Sequence, residues 1–488
     1  MLTPSTRMRT ILFMDDWAVL ARQGVDRRWF PAEPWPGLKP WKDNTLVYQS
    51  VSAVLHDEGA SNGWRMWAGG MTTRDKGDEG FGMCLYSSTD GFDWQPQRQH
   101  PLVDKNATPQ AAHIVFSGEY SGGGAVYYDP YETDPARRYK FPYSDLSPNP
   151  VDASYGTCRI AVSPDGIHWS IDKSAVWRRQ HTDTHFHVVY NPYTGMYQWN
   201  SRPILGDRRV SLDQTRDWRS FEKPLVVLHP YPQDFPGVEF YGMPHFEYEG
   251  YFIGFLWRMW GAPNDLGHST RMMGKVDAEL TYSVNGIAWN RTDRQSFLPE
   301  SGWEQYRFGS QYPSSMVMDD EGWLRVYTTA YVGEHNDWHK FPKDEDIAYI
   351  TVSRWRRDGF CALESHSDTG TLLLRGLIPH GGPLLLNAAC GRFGRIRAEL
   401  RGLDNQPLPG YEIDKCLPVT GDGHFLPLRW QDGGELHETL AALNGQPVKL
   451  FLELEQARLY AVRLEADLLY GFVPELNLAG DYIPEKCY

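Results

Sequence analysis

The chain has 488 residues, with 48 Lys and Arg against 62 Asp and Glu, for a formal net charge of −14. That acidity argues against a nucleic-acid backbone or an anionic membrane as partner. Aromatic residues make up 14%, alongside 46 Gly and 34 Pro, a composition that favours many short strands and excludes disorder, coiled coil and helical bundle.

Taken from the start, Ile11-Leu12-Phe13-Met14 is strand-like, too short for a signal-peptide core or a membrane span, and it ends in Asp15-Asp16. A cytoplasmic protein is expected. The six cysteines are scattered without a CxxC pair, so neither a disulfide framework nor a zinc site is expected.

Two repeats then run along the chain. The first is a turn: Ser88-Thr89-Asp90-Gly91-Phe92-Asp93-Trp94 returns as Ser163-Pro164-Asp165-Gly166-Ile167-His168-Trp169 and as Ser283-Val284-Asn285-Gly286-Ile287-Ala288-Trp289. A looser copy is read at Ser211-Leu212-Asp213-Gln214 running to Trp218, and a degenerate one from Ser353 through Asp358-Gly359-Phe360. In such a turn Ser and Asp bond their own backbone, Gly supplies positive φ and Trp covers the hairpin. The second repeat is a hairpin upstream of each copy, as in Tyr127-Tyr128-Asp129-Pro130 or Val189-Tyr190-Asn191-Pro192. Two independent repeats agreeing in order and number predict a five-bladed β-propeller over 1–361.

After that point the tryptophans stop, with only Trp430 of the 19 remaining. Alternating stretches such as Arg395-Ile396-Arg397-Ala398-Glu399-Leu400 and Val448-Lys449-Leu450-Phe451-Leu452 predict a C-terminal β-sandwich with a tail over 362–488. The fold class is therefore all-β. Any oligomer is expected to form through the sandwich.

Inner propeller strands converge on a central funnel, so polar groups at their starts face one another. This selects Asp43, Asp183 and Glu239 as catalytic candidates, with Glu304 and Asp16 as further acids. Paired carboxylates flanking one bond are what glycoside hydrolysis requires, one as proton donor and one as nucleophile or base. Trp41 and Trp257 offer faces for sugar stacking, and His113, His185, His245, Arg307 and Gln311 offer hydrogen bonds to hydroxyls. The histidines lack metal-ligand spacing; no metal or cofactor is expected, and an axial cation is the alternative they leave open.

The five hairpins, the Ser-x-Asp-Gly-x-x-Trp turns and the C-terminal sandwich together resemble the five-bladed glycoside hydrolases of the invertase, levansucrase and arabinanase superfamily, family 32-like or 43-like. Phe13-Met14-Asp15-Asp16, Trp41-Lys42-Asp43, Tyr241-Gly242-Met243-Pro244 and Pro409-Gly410-Tyr411 carry the likeness. The resemblance implies three acids: a base or nucleophile, a transition-state or pKa-tuning Asp, and a proton-donating Glu, falling by position on Asp43, Asp183 and Glu239. It implies an oligosaccharide or glycoside substrate, furanosidic in kind. The WMNDPNG, RDP and ECP signatures of invertases are absent, and blade two presents Asn106 where an acid is usual.

Other readings are a sialidase, a phosphorylase or a non-catalytic carbohydrate-binding propeller. The sialidase box places a residue between Asp and Gly, whereas Asp90-Gly91 and Asp165-Gly166 are adjacent. A sialidase also needs several arginines, for which Arg202, Arg258 and Arg307 are available. A lectin has little need of three acids in one funnel.

Overall fold

The repeated hairpins fold into successive antiparallel meanders. The computed structural model describes residues 8–44, 46, 48–57, 63–71, 81–97, 114–117, 124–145, 157–178, 182, 187–203, 208–261, 274–298, 308–335, 340–342, 346–365 and 369–469. Two units result, one of Pro31–Arg356 and the other of Met1–Phe30 with Arg357–Tyr488. This differs from a single boundary at 361, because strand Arg9–Leu12 pairs with Val448–Leu464, Val19–Gln23 with Gly370–Pro379, and Asp26–Trp29 with Cys361–Glu364.

The unit Pro31–Arg356 is propeller-like. Its first meander comprises Tyr48–His56, Trp64–Met71, Phe81–Ser88 and Gln95–Pro96, with Ile114–Ser117 added beside the third strand. The second is Tyr127–Tyr128, Tyr139–Asp145, Thr157–Ser163 and Ser170–Arg178, and the third is Val189–Asn191, Met196–Ser201, Val210–Thr215 and Leu225–Leu228. In the fourth, Val238–Gly242 and His245–Tyr248 both pair with Tyr251–Gly261, followed by Gly274–Ser283 and Asn290–Ser296. The fifth is Ser310–Met318, Trp323–Tyr331 and Ala348–Arg356, and its outer strand is supplied from upstream of the first meander by Glu33–Pro34. That borrowed strand ties the beginning of the run to its end.

Each meander holds the next. The Trp67 indole donates to the carbonyl of Gly166 at 2.9 Å, Tyr197 Oη to Asp129 at 3.0 Å, Asn200 Nδ2 to the carbonyl of Met243 at 3.2 Å, and Trp257 Nε1 to that of Pro313 at 3.0 Å. The circle closes where the Val51 amide donates to Thr329 Oγ1 at 2.8 Å. These tryptophans are fully buried, and truncating such a ring to alanine costs about 3–5 kcal/mol.

The turns take part in the same joints. Asp90 Oδ1 accepts from the amides of Phe92 and Asp93, and Asp165 and Asn285 do likewise two and three residues on. Glycine is required at Gly166, where φ is 79° and a Cβ would lie 2.6 Å from the Trp67 ring. The third copy is corrected by four residues. Thr215 and Asp217 make the turn, with Asp217 Oδ1 accepting from Arg219 and Ser220. Trp218 takes the glycine position at φ 59°, and its ring lies parallel to Trp199 at 5.8 Å. Ser211 and Asp213 belong instead to the strand, where Asp213 is buried against Arg178 at 3.0 Å. The fifth copy is also corrected: Ser353 is inside a strand, and Asp358 lies in the other unit, paired with Arg463 at 2.6 Å.

The second unit is a β-sandwich. Its nine-stranded sheet centres on the 17-residue strands Val448–Leu464 and Leu385–Arg401. A three-stranded sheet of Cys416–Leu417, Arg429–Asp432 and Glu435–His437 packs on it, the Trp430 indole donating to the carbonyl of Ala398 at 2.8 Å. Leucine, not tryptophan, fills this core.

Candidate active site

Three inner strands are bulged at a comparable point, leaving Ser52, Tyr241 and Ser314 without a cross-strand partner. A bulge adds local twist and re-aims the extra side chain, as is common beside functional sites. Candidate residues sit just ahead of these bulges or on them.

Asp43 lies five residues before the first inner strand and is buried. Gln49 clamps the chain around it: Gln49 Oε1 accepts from the Asp43 amide at 3.0 Å, and its Nε2 donates to the Trp41 carbonyl at 3.2 Å. The Tyr86 hydroxyl donates to Asp43 Oδ2 at 2.7 Å. Burial, then the neighbouring Cys84 and Asp43, raises the Tyr86 phenol well above its ordinary range, so it remains a donor. Trp41 is half-buried and meets the Tyr86 ring edge-on at 5.2 Å.

Glu239 opens the inner strand of the fourth meander and is also buried. Its carboxylate pairs with Arg208 at 2.5 Å. The bulged Tyr241 then presents its ring to two guanidiniums, Arg202 at 4.8 Å and Arg208 at 5.1 Å. The same ring meets His335 at 4.7 Å, and the hydroxyl of Tyr312 lies 3.0 Å from His335 Nδ1. Gln311, beside Tyr312, is buried at the start of the fifth inner strand. Arg202 is fixed from behind, its carbonyl accepting from Arg178 at 2.5 Å and from Thr182 Oγ1 at 3.1 Å.

Chemically, these are two carboxylates on different meanders, each held by a donor and flanked by aromatic faces. Arg208, Tyr241, Tyr312, His335 and Tyr86 were not singled out as site residues by sequence. Arg208 lies two residues before the strand Val210–Thr215, and Tyr241 directly follows Glu239-Phe240, so position near a strand entry was the available signal.

Three expected residues have other surroundings. Asp16 lies in the sandwich unit, half exposed and ion-paired with Arg27 and, at 3.5 Å, with Arg22. Trp257 is fully buried with its N–H committed to Pro313, so it keys two meanders together and has no face for sugar. His245 is also fully buried, packed edge-on against Trp289 at 5.5 Å and Phe252 at 6.1 Å. Asp183, Glu304, His113, His185 and Arg307 lie outside the described residues. Arg258, which a sialidase reading would use, is committed to Asp277 at 2.9 Å and Glu279 at 3.2 Å.

Among the described residues no group of three or more His, Cys, Asp or Glu is arranged to hold a metal ion, and no helix is long and apolar enough to cross a membrane. The described cysteines are thiols: burial pushes Cys158 and Cys361 up to about 12, and Cys390 and Cys416 to about 11.

No protein-family model matches the chain, and no curated protein sequence does. Solved structures similar to it include an N-acetylgalactosamine deacetylase from F. plautii in complex with blood group B trisaccharide, 15% identical, covering 68% of this chain and 96% of that one with a TM-score of 0.43. A glycosyl hydrolase from Bacteroides ovatus is 10% identical over 67% of this chain and 94% of its own, with a TM-score of 0.43. A Bombyx mori GH32 β-fructofuranosidase is 10% identical over 90% of this chain and 94% of its own, with a TM-score of 0.40. Likeness at this level carries no function across.

Proposed function

We propose that the chain is a glycoside hydrolase acting on an oligosaccharide or glycoside of furanosidic type, arabinofuranosyl or fructofuranosyl, in the funnel of a five-bladed propeller. The observation that carries the reading is the pair of buried carboxylates, Asp43 and Glu239, each at the entry to an inner strand of a different meander. Acid–base cleavage of a glycosidic bond needs two carboxyls in unlike surroundings, one protonating the leaving oxygen and the other attacking the anomeric carbon or activating water. Tyr86 and Arg208 supply unlike surroundings. Asp183 is proposed as the third acid, tuning the other two. Half-buried Trp41 provides an apolar face for a sugar ring, and Gln311 an amide for its hydroxyls.

The test is a panel of aryl glycosides and oligosaccharides, furanosidic and pyranosidic, with product anomers followed by NMR. Turnover of furanosides that disappears in Glu239→Gln with folding intact is expected. Near-normal turnover in that variant would overturn the assignment of Glu239. Sugar binding with no hydrolysis of any member would instead leave a carbohydrate-binding ring.

A further inference from the structure

The inner strands have a second end. Gln311 and Met318 bracket seven steps of one strand, roughly 23 Å of chain. At the Met318 end a cavity of about 340 Å³ is lined by residues of four meanders, among them Tyr127, His187, Tyr190, Tyr248, Met316 and Met318. Nothing in the hydrolytic reading uses it.

Its chemistry is specific. Tyrosine faces and thioethers supply apolar, polarisable walls, and Met316 and Met318 are only half-buried. Into this apolar lining the His187 ring brings a buried Nδ1 without a hydrogen-bond partner. Behind it, fully buried His245 has both ring nitrogens without a partner. Burial holds both imidazoles neutral, His187 at about 4 and His245, which His187 lowers further, at about 3. A neutral imidazole offers one donor and one acceptor, and leaving them buried and unmade is costly. Among the described residues no Lys or Arg lines the cavity and one acid does, Glu247, which accepts from the Gly250 amide at 3.1 Å. The walls therefore suit a neutral molecule with an apolar face and hydroxyls. Outward, the aromatic surface continues: Tyr131, 60% exposed, packs on Tyr190 at 4.4 Å between ring centroids. A second stacking platform beyond the cavity calls for more than one sugar ring.

We propose that this cavity, at the end of the inner strands away from Asp43 and Glu239, is a separate binding site for a neutral oligosaccharide, with one ring against Tyr190 and Met318 and the next on Tyr131. Among the described residues that line it there is no pair of carboxyls, so the site is proposed to bind without cleaving.

The test reads binding, so it stands apart from hydrolysis. Saturation-transfer NMR and titration calorimetry would be run with methyl glycosides and neutral di- and trisaccharides on the Glu239→Gln protein, alone and carrying Met318→Trp, which fills the cavity. Met318→Trp is expected to weaken one class of site about tenfold or more. On the otherwise wild-type chain, it should leave kcat/KM on a small aryl glycoside unchanged. Tyr131→Ala, at an exposed position, is expected to weaken trisaccharide more than monosaccharide. Sugar binding to the Glu239→Gln protein that neither Met318→Trp nor Tyr131→Ala alters would overturn the proposal, as would no binding to it at all. Should the chain prove not to hydrolyse glycosides, loss of binding in Met318→Trp would still establish this site.

Discussion

The Asp43 corner and the Glu239 corner solve the same problem in different ways. Both put a buried carboxylate ahead of the bulge in an inner strand. Asp43 accepts from a neutral phenol that burial keeps protonated, whereas Glu239 is fixed by a guanidinium. The phenol orients without adding charge; the guanidinium adds a full charge that a bound substrate must share. Two carboxyls so differently seated are suited to different halves of an acid–base reaction, and each half can be removed separately.

Removing each acid gives the largest effect. Glu239→Gln and Asp43→Asn are each expected to lower kcat by about 10²–10⁴-fold. They should part company on two readouts. The variant lacking the donor recovers on aryl glycosides with good leaving groups, and the variant lacking the nucleophile or base recovers with added azide. Identical responses in both variants would erase the distinction between the corners.

The supporting groups come next. Arg208→Met leaves Glu239 buried beside an apolar chain, and breaking such a pair costs about 3–5 kcal/mol, read as a lower Tm. Arg208→Met combined with Glu239→Gln should regain part of that loss. Tyr86→Phe keeps the ring against Trp41 but deletes the bond to Asp43, so activity should fall about tenfold with a smaller loss of stability of about 1–3 kcal/mol. A Tyr86→Phe protein with wild-type kcat would mean that the phenol only packs.

Acid sensitivity offers a third way to separate the corners from their surroundings. His245 is buried neutral, at about 3. Its unfolded form binds a proton near pH 6.5, so its contribution is complete above that pH and lost as pH falls toward about 3. At pH 5 the loss is about 2 kcal/mol. His245→Phe should therefore narrow the difference in Tm between pH 7.5 and pH 5. If it does not, His245 does not set the acid sensitivity of the fold.

Much of this organisation was legible in the sequence. The Ser-x-Asp-Gly turns state their own backbone bonds, so Asp90, Asp165 and Asn285 could be read directly. Asp43 and Glu239 followed from position at strand entries. What failed was whatever depended on long-range packing. Ser211 and Asp213 imitate the turn pattern, but Asp213 is drawn into the strand by Arg178, and the true turn hides because Trp218 replaces glycine. Trp257 and His245 looked available because nothing local announces that the neighbouring strands bury them. Asp16 falls in the sandwich unit for a topological reason: residues 9–29 pair with strands more than 300 positions away.

The smallest effects come from the turns, and they sharpen the contrast most finely. Tyr86 sits on the strand Phe81–Ser88, which runs into the Asp90 turn, and Arg208 precedes the strand Val210–Thr215, which runs into the Asp217 turn. Each turn thus anchors the strand that carries one corner's partner. The Ser220 amide first, together with Arg219 and Thr215, outweighs desolvation and holds the Asp217 carboxyl below its ordinary range. Its contribution is present above that range and is lost as pH falls through it. Asp90→Ala and Asp217→Ala should each cost about 1 kcal/mol, as for a lost cap. If turns and corners are coupled as the strands imply, Asp90→Ala will worsen Asp43→Asn no further while still adding to Glu239→Gln, and Asp217→Ala will do the reverse. Full additivity in all four double variants would show that the turns stabilise the ring without steering either acid.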